Sequence, residues 1–300
     1  GCPGSCRLAA LKSPAVECGL GIVVTPGAEF FVRIWGARGS IACPGPDFVR
    51  YGGNTACLEV RCGGRVFILD AGTGLRNLGI MLDQSGPVDA DILFTHSHLD
   101  HIGGLPFFTS AFLKGNVFRV WSGHLGGKAT MRDVIARLMS SPLFPVPLEI
   151  FQAELAFNDF VPGDTLTFAP DISVRTTALN HPQGAVGYRF DYGGKSICYI
   201  TDTEHRPGEL DQNILELVRD ADVMIYDACY TDEEFPNFVG WGHSTWQEGV
   251  RLSDAAGVKT LALFHHDPSH TDEKMDVILQ QACERRPGTV AAFEGLTITP

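Results

Sequence analysis

The chain has 300 residues, 44% of them hydrophobic and 19% charged, a balance that supports a sizeable buried core in one large or two small domains. Against 35 acidic residues stand 23 basic ones, and the formal net charge of -12 argues against a broad footprint for duplex nucleic acid or anionic lipid. A bound cation can still reverse the field locally for a small anion, and no apolar run approaches the roughly 18 residues of a membrane span.

Residues 1–28 are rich in Gly, Pro and Cys and show no periodicity, so an irregular N-terminal extension is expected ahead of one domain over 29–300. No basic segment followed by an apolar core and a cleavage site opens the chain, so no signal peptide is expected. The nine cysteines are odd in number and sit mostly in apolar runs, as buried thiols of a reducing compartment do, which predicts a cytoplasmic location. Cys2 and Cys6 have no matching second pair to complete a metal site. Short apolar runs predict strands over 30–35, 56–61, 65–70, 91–95, 117–121, 165–168, 172–179, 185–191, 196–201, 222–226, 259–264 and 290–294. Helical patterns fall over 74–84, 103–113, 128–140, 208–219, 245–256 and 272–285. Ser244 to Gln247 fits a capping box, Glu248 supports the alternative frame from Thr245, and Gly257 is a stop. Thr271 precedes Asp272 and Glu273, acids suited to a first turn. Strands in the middle with helices on either side predict an α/β fold of packed sheets covered by helices.

The chemistry lies in how these strands end. The run Asp91 to Thr95 finishes in His96-Ser97-His98-Leu99-Asp100-His101, Ile172 to Leu179 in Asn180-His181, Ser196 to Thr201 in Asp202, and Lys259 to Phe264 in His265. Ligand sites of α/β folds gather at the carboxyl ends of strands, so these groups can converge. In an extended segment His96, His98 and Asp100 share one side, and His101 joins them if the chain turns at Gly103-Gly104. Clustering three imidazoles and a carboxylate without a cation would cost several kcal/mol. Such ligands suit Zn, Mn or Fe, and their number suits two ions sharing a carboxylate.

His96-x-His98-x-Asp100-His101 with His181, Asp202 and His265 resembles the signature of the metallo-β-lactamase-fold hydrolases, over about Ile34 to Pro268. The resemblance implies an αββα sandwich. It places His96, His98 and His181 on one metal, Asp100, His101 and His265 on the other, and Asp202 between them. Asp202 and His101 stand where the best-known β-lactamases carry Cys and Arg, and His98 where flavodiiron proteins carry Glu. Gly242-His243-Ser244-Thr245, Leu263 to Pro268, Gly36 to Ser40 and Tyr51 to Thr55 are similar to the phosphodiesterase branch, which includes tRNA 3′-end endonucleases and cyclic-nucleotide phosphodiesterases. Two strands and a turn at Gly193-Gly194 fill the stretch between His181 and Asp202, leaving no room for the arm with which the endonucleases grip tRNA.

The resulting expectation is a phosphodiesterase with two divalent ions, zinc first, that hydrolyses a small phosphodiester such as a cyclic nucleotide through a hydroxide shared by the metals. Asp100, also a ligand, and His243 are the expected catalytic residues. His243, just before a helix N-terminus, would contact phosphate and protonate the leaving oxygen. Competing expectations are a carbonyl hydrolase (lactone, thioester or β-lactam) and a non-catalytic nucleotide sensor. A small anionic substrate is the expected partner, nucleic acid and membrane are not, and a homodimer is left open. Asp227 is read as orienting a ligand histidine or as an ordinary strand-end acid, Arg38 as a phosphate contact or a surface arginine, and Glu204 and His205 as candidates to line the pocket. His124 and His270 are read as solvated, and Met139, Phe144 and Pro145 as either an apolar lid or core.

Overall fold

The computed structural model describes residues 29–300, so the expected extension over 1–28 lies outside the described residues. The first half of the chain supplies strands β1 (Phe30–Gly36), β2 (Cys57–Cys62), β3 (Arg65–Leu69), β4 (Asp89–Phe94), β5 (Val117–Ser122) and β6 (Glu154–Asp159). The second supplies β7 (Thr165–Ala169), β8 (Ile172–Leu179), β9 (Ala185–Tyr192), β10 (Lys195–Ile200), β11 (Val223–Asp227), β12 (Thr260–Phe264), β13 (Val290–Ala291) and β14 (Thr297–Ile298). They form two seven-stranded sheets, in the orders β14-β1-β2-β3-β4-β5-β6 and β13-β12-β11-β10-β9-β8-β7. Both sheets are mixed. Pairing is parallel from β3 to β6 and from β10 to β13, and antiparallel elsewhere.

Side-chain alternation along the strands sorts the core into layers. Phe67 and Leu69 of β3 and Val223 and Ile225 of β11 pack between the sheets with Tyr188, Phe190 and Phe264. Their neighbours Val66 and Ile68 turn outward beneath helices α1 (Leu75–Leu82) and α3 (Met131–Leu138). Met224 and Tyr226 turn outward beneath α4 (Gln212–Val218), α5 (Trp246–Ala256) and α6 (Asp272–Arg285). A single helical turn, α2 (Leu99–Ile102), follows β4. The αββα sandwich that the resemblance implies is the observed architecture.

Local signals decide the ends of elements. Helix α5 takes the Thr245 frame, whose hydroxyl accepts from the Glu248 amide at 3.1 Å. The Glu248 carboxylate turns to Arg251 instead, so only half of the box forms, and Gly257 closes the helix at φ 70°. Gly193 and Gly194 join β9 to β10 with φ 57° and 75°, values that a tight hairpin requires. The helix expected over 103–113 does not form. Pro106 and an extended Phe108 (ψ 96°) divide the stretch into 3-10 turns at Leu105–Phe107 and Thr109–Phe112. The strand expected over 290–294 shortens to Val290–Ala291. Strand β6, unexpected from sequence, lies at a sheet edge, half-buried, and its apolar pattern is correspondingly weak. Cys43, Cys57, Cys62, Cys198 and Cys229 are buried free thiols. Among the described residues no helix is long and apolar enough to cross a membrane.

Candidate dinuclear metal site

The strands of both sheets deliver their last residues to one rim: Asp70 after β3, His96 after β4, His181 after β8, Asp202 after β10, Asp227 at the end of β11 and His265 after β12. Asp70, Asp202 and His265 adopt left-handed backbone conformations, with φ 58°, 57° and 61°. Each costs of order 1–3 kcal/mol in a non-glycine residue, a strain that clusters at functional sites. Two glycines let the backbone press against the imidazoles. A Cβ on Gly39 would stand 2.2 Å from His265 Nδ1, and one on Gly242 would stand 2.3 Å from His181 Nδ1.

The first cluster joins His96, His98 and His181, whose ligand atoms lie within 4.8 Å of one another. His181 Nδ1 donates to the Gly242 carbonyl at 2.7 Å, leaving Nε2 as a lone pair. His98 Nε2 donates to Gln183 Oε1 at 2.9 Å, leaving Nδ1 as a lone pair. These two acceptors face each other at 3.1 Å. His96 Nδ1 lies 3.1 Å from Thr95 Oγ1, while its Nε2 is buried without a hydrogen-bond partner. Asp202 Oδ1 completes the group, 3.7 Å from His96 Nε2 and 3.8 Å from His181 Nε2.

The second cluster is built the same way. His101 Nδ1 donates to Asp70 Oδ2 at 2.9 Å, turning Nε2 inward. There it meets His265 Nε2 at 3.3 Å, Asp100 Oδ2 at 3.3 Å and Asp202 Oδ2 at 3.2 Å. His265 Nε2 in turn lies 3.2 Å from Asp100 Oδ2 and 3.4 Å from Asp202 Oδ2. Asp202 therefore sends one oxygen to each cluster. Buried acceptors facing acceptors are costly unless positive charge lies between them. Imidazole nitrogens mixed with carboxylates are the donors that Zn, Mn or Fe prefer, and the residues present fit two such ions.

The electrostatics agree. Burial, with His101 adding, pushes His96 well below the usual imidazole range, so its ring is neutral. Burial opposes charge on His101 too, but Asp202, Asp100 and Asp70 outweigh it and raise its pKa well above normal. Burial would raise the carboxyls of Asp202 and Asp100, yet the surrounding histidines hold both below the ordinary range. The pocket attracts positive charge.

All seven expected ligands meet at this rim, with one change of geometry. The extended segment ends at His98, the N-cap of α2, so Asp100 and His101 lie on a helical turn. That turn lets two adjacent residues face the same cluster. Asp70 carries no role in the sequence reading, although its strand ends on a carboxylate as β10 does. Besides His101 it binds Thr95 and the Tyr199 hydroxyl, at 2.9 Å. The histidine that Asp227 orients is His243, the expected proton donor. Asp227 Oδ2 accepts from His243 Nδ1 at 3.0 Å and from the Asp202 amide at 3.0 Å. The His243 ring stacks on His265 with centroids 4.8 Å apart.

Other candidates sit elsewhere. Arg38 is wholly buried and donates to the carbonyls of Gly52 (2.9 Å) and His270 (2.6 Å), a brace for the surrounding loops and not a phosphate contact. His266 donates to the Ala292 carbonyl at 2.8 Å. Glu204 binds the amides of Gly240 (2.7 Å) and Gly242 (2.9 Å), and His205 meets Ser244 at 2.9 Å. Met139 is core, while Phe144 packs on Phe107. His270 is buried against Glu234 and not solvated. His124 is half-buried and held between Ser122 and Ser97 at 3.0 Å each.

Burial, with His98 adding, pushes His124 down to about 4. The unfolded chain therefore binds this proton more readily, and native stability falls as pH drops from about 6.5 to about 4. A His124→Asn variant is expected to flatten that part of the Tm–pH curve, which thermal melts across the window will read.

The profile of the Beta-lactamase superfamily domain matches residues 65–266, about two thirds of the chain. Ribonuclease Z of Bradyrhizobium sp. (strain ORS 278) is 26% identical over 290 residues, covering 80% of this chain and 93% of that protein. Ribonuclease Z of Acaryochloris marina is 25% identical over 287 residues, covering 77% and 86%. Among solved structures, the metallo-beta-lactamase fold protein YhfI from Bacillus subtilis superposes with a TM-score of 0.67 at 16% identity, covering 89% of this chain and 98% of that one. The short form of human tRNase Z gives 0.64 at 18% identity, covering 90% and 98%. At these identities the structural likeness establishes the fold.

Proposed function

Because the chain belongs to the β-lactamase superfamily domain family, whose profile spans every ligand-bearing strand end, we propose that it is a dinuclear metal-dependent phosphodiesterase acting on a small phosphodiester such as a cyclic nucleotide. The observation that carries this reading is the pair of acceptor clusters sharing Asp202 beside the His243–Asp227 couple. His96, His98 and His181 would hold one ion, Asp100, His101 and His265 the other, and Asp202 both. Zinc is the ion assigned, as the borderline cation that imidazole-rich sites favour. Ions held by these residues would supply a nucleophilic water at neutral pH and charge to offset that on phosphoryl oxygens.

The protein's own groups do the rest. Asp70 fixes the His101 ring, and the Gly242 carbonyl fixes that of His181, each selecting the tautomer that points a lone pair inward. Asp227 holds Nδ1 of His243, which leaves Nε2 to donate a proton to the departing oxygen. Several observations favour a small substrate over tRNA. The net charge is -12, and β9, β10 and their two-residue turn occupy the stretch in which the endonucleases carry their arm. The buried free thiols support a reducing, cytoplasmic setting.

The test is a substrate panel on zinc-loaded protein: bis-p-nitrophenyl phosphate, cyclic AMP, a lactone and nitrocefin. Hydrolysis of a diester supports the proposal. Activity on carbonyl substrates alone, or ligand binding without turnover after loading with Zn or Mn, would sink it in favour of a carbonyl hydrolase or a sensor.

A further inference from the structure

Trp241 is 63% exposed, an unusual place for the side chain that gains most from burial. Its exposure does not come from a loose loop. The flanking Gly240 and Gly242, with φ 91° and 86°, both donate their amides to Glu204 Oε2, and the Gly242 carbonyl holds His181. The indole touches Phe238 edge-on with centroids 5.5 Å apart. Phe238 stacks on Tyr230 at 4.3 Å, and the Tyr230 ring lies 6.1 Å from His243. An aromatic ladder thus runs from the proton donor to the surface. The exposed apolar side chains near Asp100 are aliphatic instead: Ile41 at 64% and Leu99 at 71% exposure, next to the Ser40 amide bound to Asp100 at 2.8 Å and to Asp100 itself.

This asymmetry has a chemical meaning that rests on the phosphodiesterase reading. On hydrolysis the bond from phosphorus to the leaving oxygen breaks, and that oxygen takes its proton from His243. Whatever the leaving oxygen carries must emerge on the His243 side, where Trp241 stands two residues away. We infer that Trp241 is a stacking platform that selects phosphodiesters whose leaving group bears a planar aromatic ring, a nucleobase or an aryl group. Aromatic faces stack on such rings without regard to their hydrogen-bonding edges, so the platform sets a class and not one base.

The experiment compares kcat/KM of the zinc-loaded full chain for two esters of methyl phosphate, one with a p-nitrophenyl and one with an ethyl leaving group, so that only the first carries an aromatic ring. The ratio of the two is taken in wild type, Trp241→Ala and Trp241→Phe, so that the intrinsic reactivity of each ester cancels. The aryl-to-ethyl ratio is expected to fall about tenfold in Trp241→Ala and to be largely kept in Trp241→Phe. Metal content should stay equal in all three. The same ratio in all three variants overturns the inference alone. Wild-type protein that hydrolyses neither ester overturns the phosphodiesterase reading and the inference with it.

Discussion

Asp202→Ala is expected to lower bound zinc well below two equivalents per chain and to reduce kcat/KM for bis-p-nitrophenyl phosphate by about 10³-fold or more. The reason is the position of its two oxygens. Oδ1 lies 3.7 Å from His96 Nε2, and Oδ2 lies 3.2 Å from His101 Nε2, so removing one side chain takes a ligand from both clusters. Alanine also tolerates the left-handed backbone at this position, φ 57°, less well than aspartate does. Asp202→Asn separates the two effects, because asparagine accepts that backbone yet carries no charge. Metal analysis of both variants with a thermal melt will read this. Two equivalents retained in Asp202→Ala would remove the shared ligand from the scheme.

His243→Ala is expected to keep both metals and to lose about 10²–10⁴-fold in turnover. Burial opposes a proton on His243, but Asp227, by charge and hydrogen bond, wins and pushes it up to about 9. The sign follows directly. The donor form is full at neutral pH and is lost as pH rises through about 9, so kcat/KM falls on that alkaline limb. Its stabilising effect on the fold behaves alike, fully present below about 6.5 and lost as pH climbs to about 9. Asp227→Asn removes the largest of the raising partners, Asp202 and Asp100 being the others, and should draw the limb toward lower pH. Loss of metal in His243→Ala would reassign the residue as a ligand.

Strand ends were the most legible feature of this sequence. The runs into His96, His181, Asp202 and His265 each stop on a group that can bind a cation, and the layers follow from alternation along the same strands. What lay beyond reading was set by partners distant in the chain. Arg38 sits beside glycines and looks accessible, yet it is wholly buried under loops drawn from Gly52 and His270. Asp227 could be marked as an orienting group but not assigned, because its partner His243 is fixed only by the fold. The stretch over 103–113 has a helical apolar pattern that Pro106 interrupts, a local conflict that periodicity alone underweights. Asp70 shares the strand-end signal of Asp202 and was within reach.

The connection between β6 and β7 divides the expected ligands between the two halves of the chain. His96, His98, Asp100 and His101 precede it, while His181, Asp202 and His265 follow. Each cluster thus takes two residues from before that point and two from after it, Asp202 counting in both. A cation bound there acts as a rivet across the sandwich. If the backbone were nicked between residues 160 and 164, reassociation of the two fragments should tighten with added zinc and loosen with a chelator.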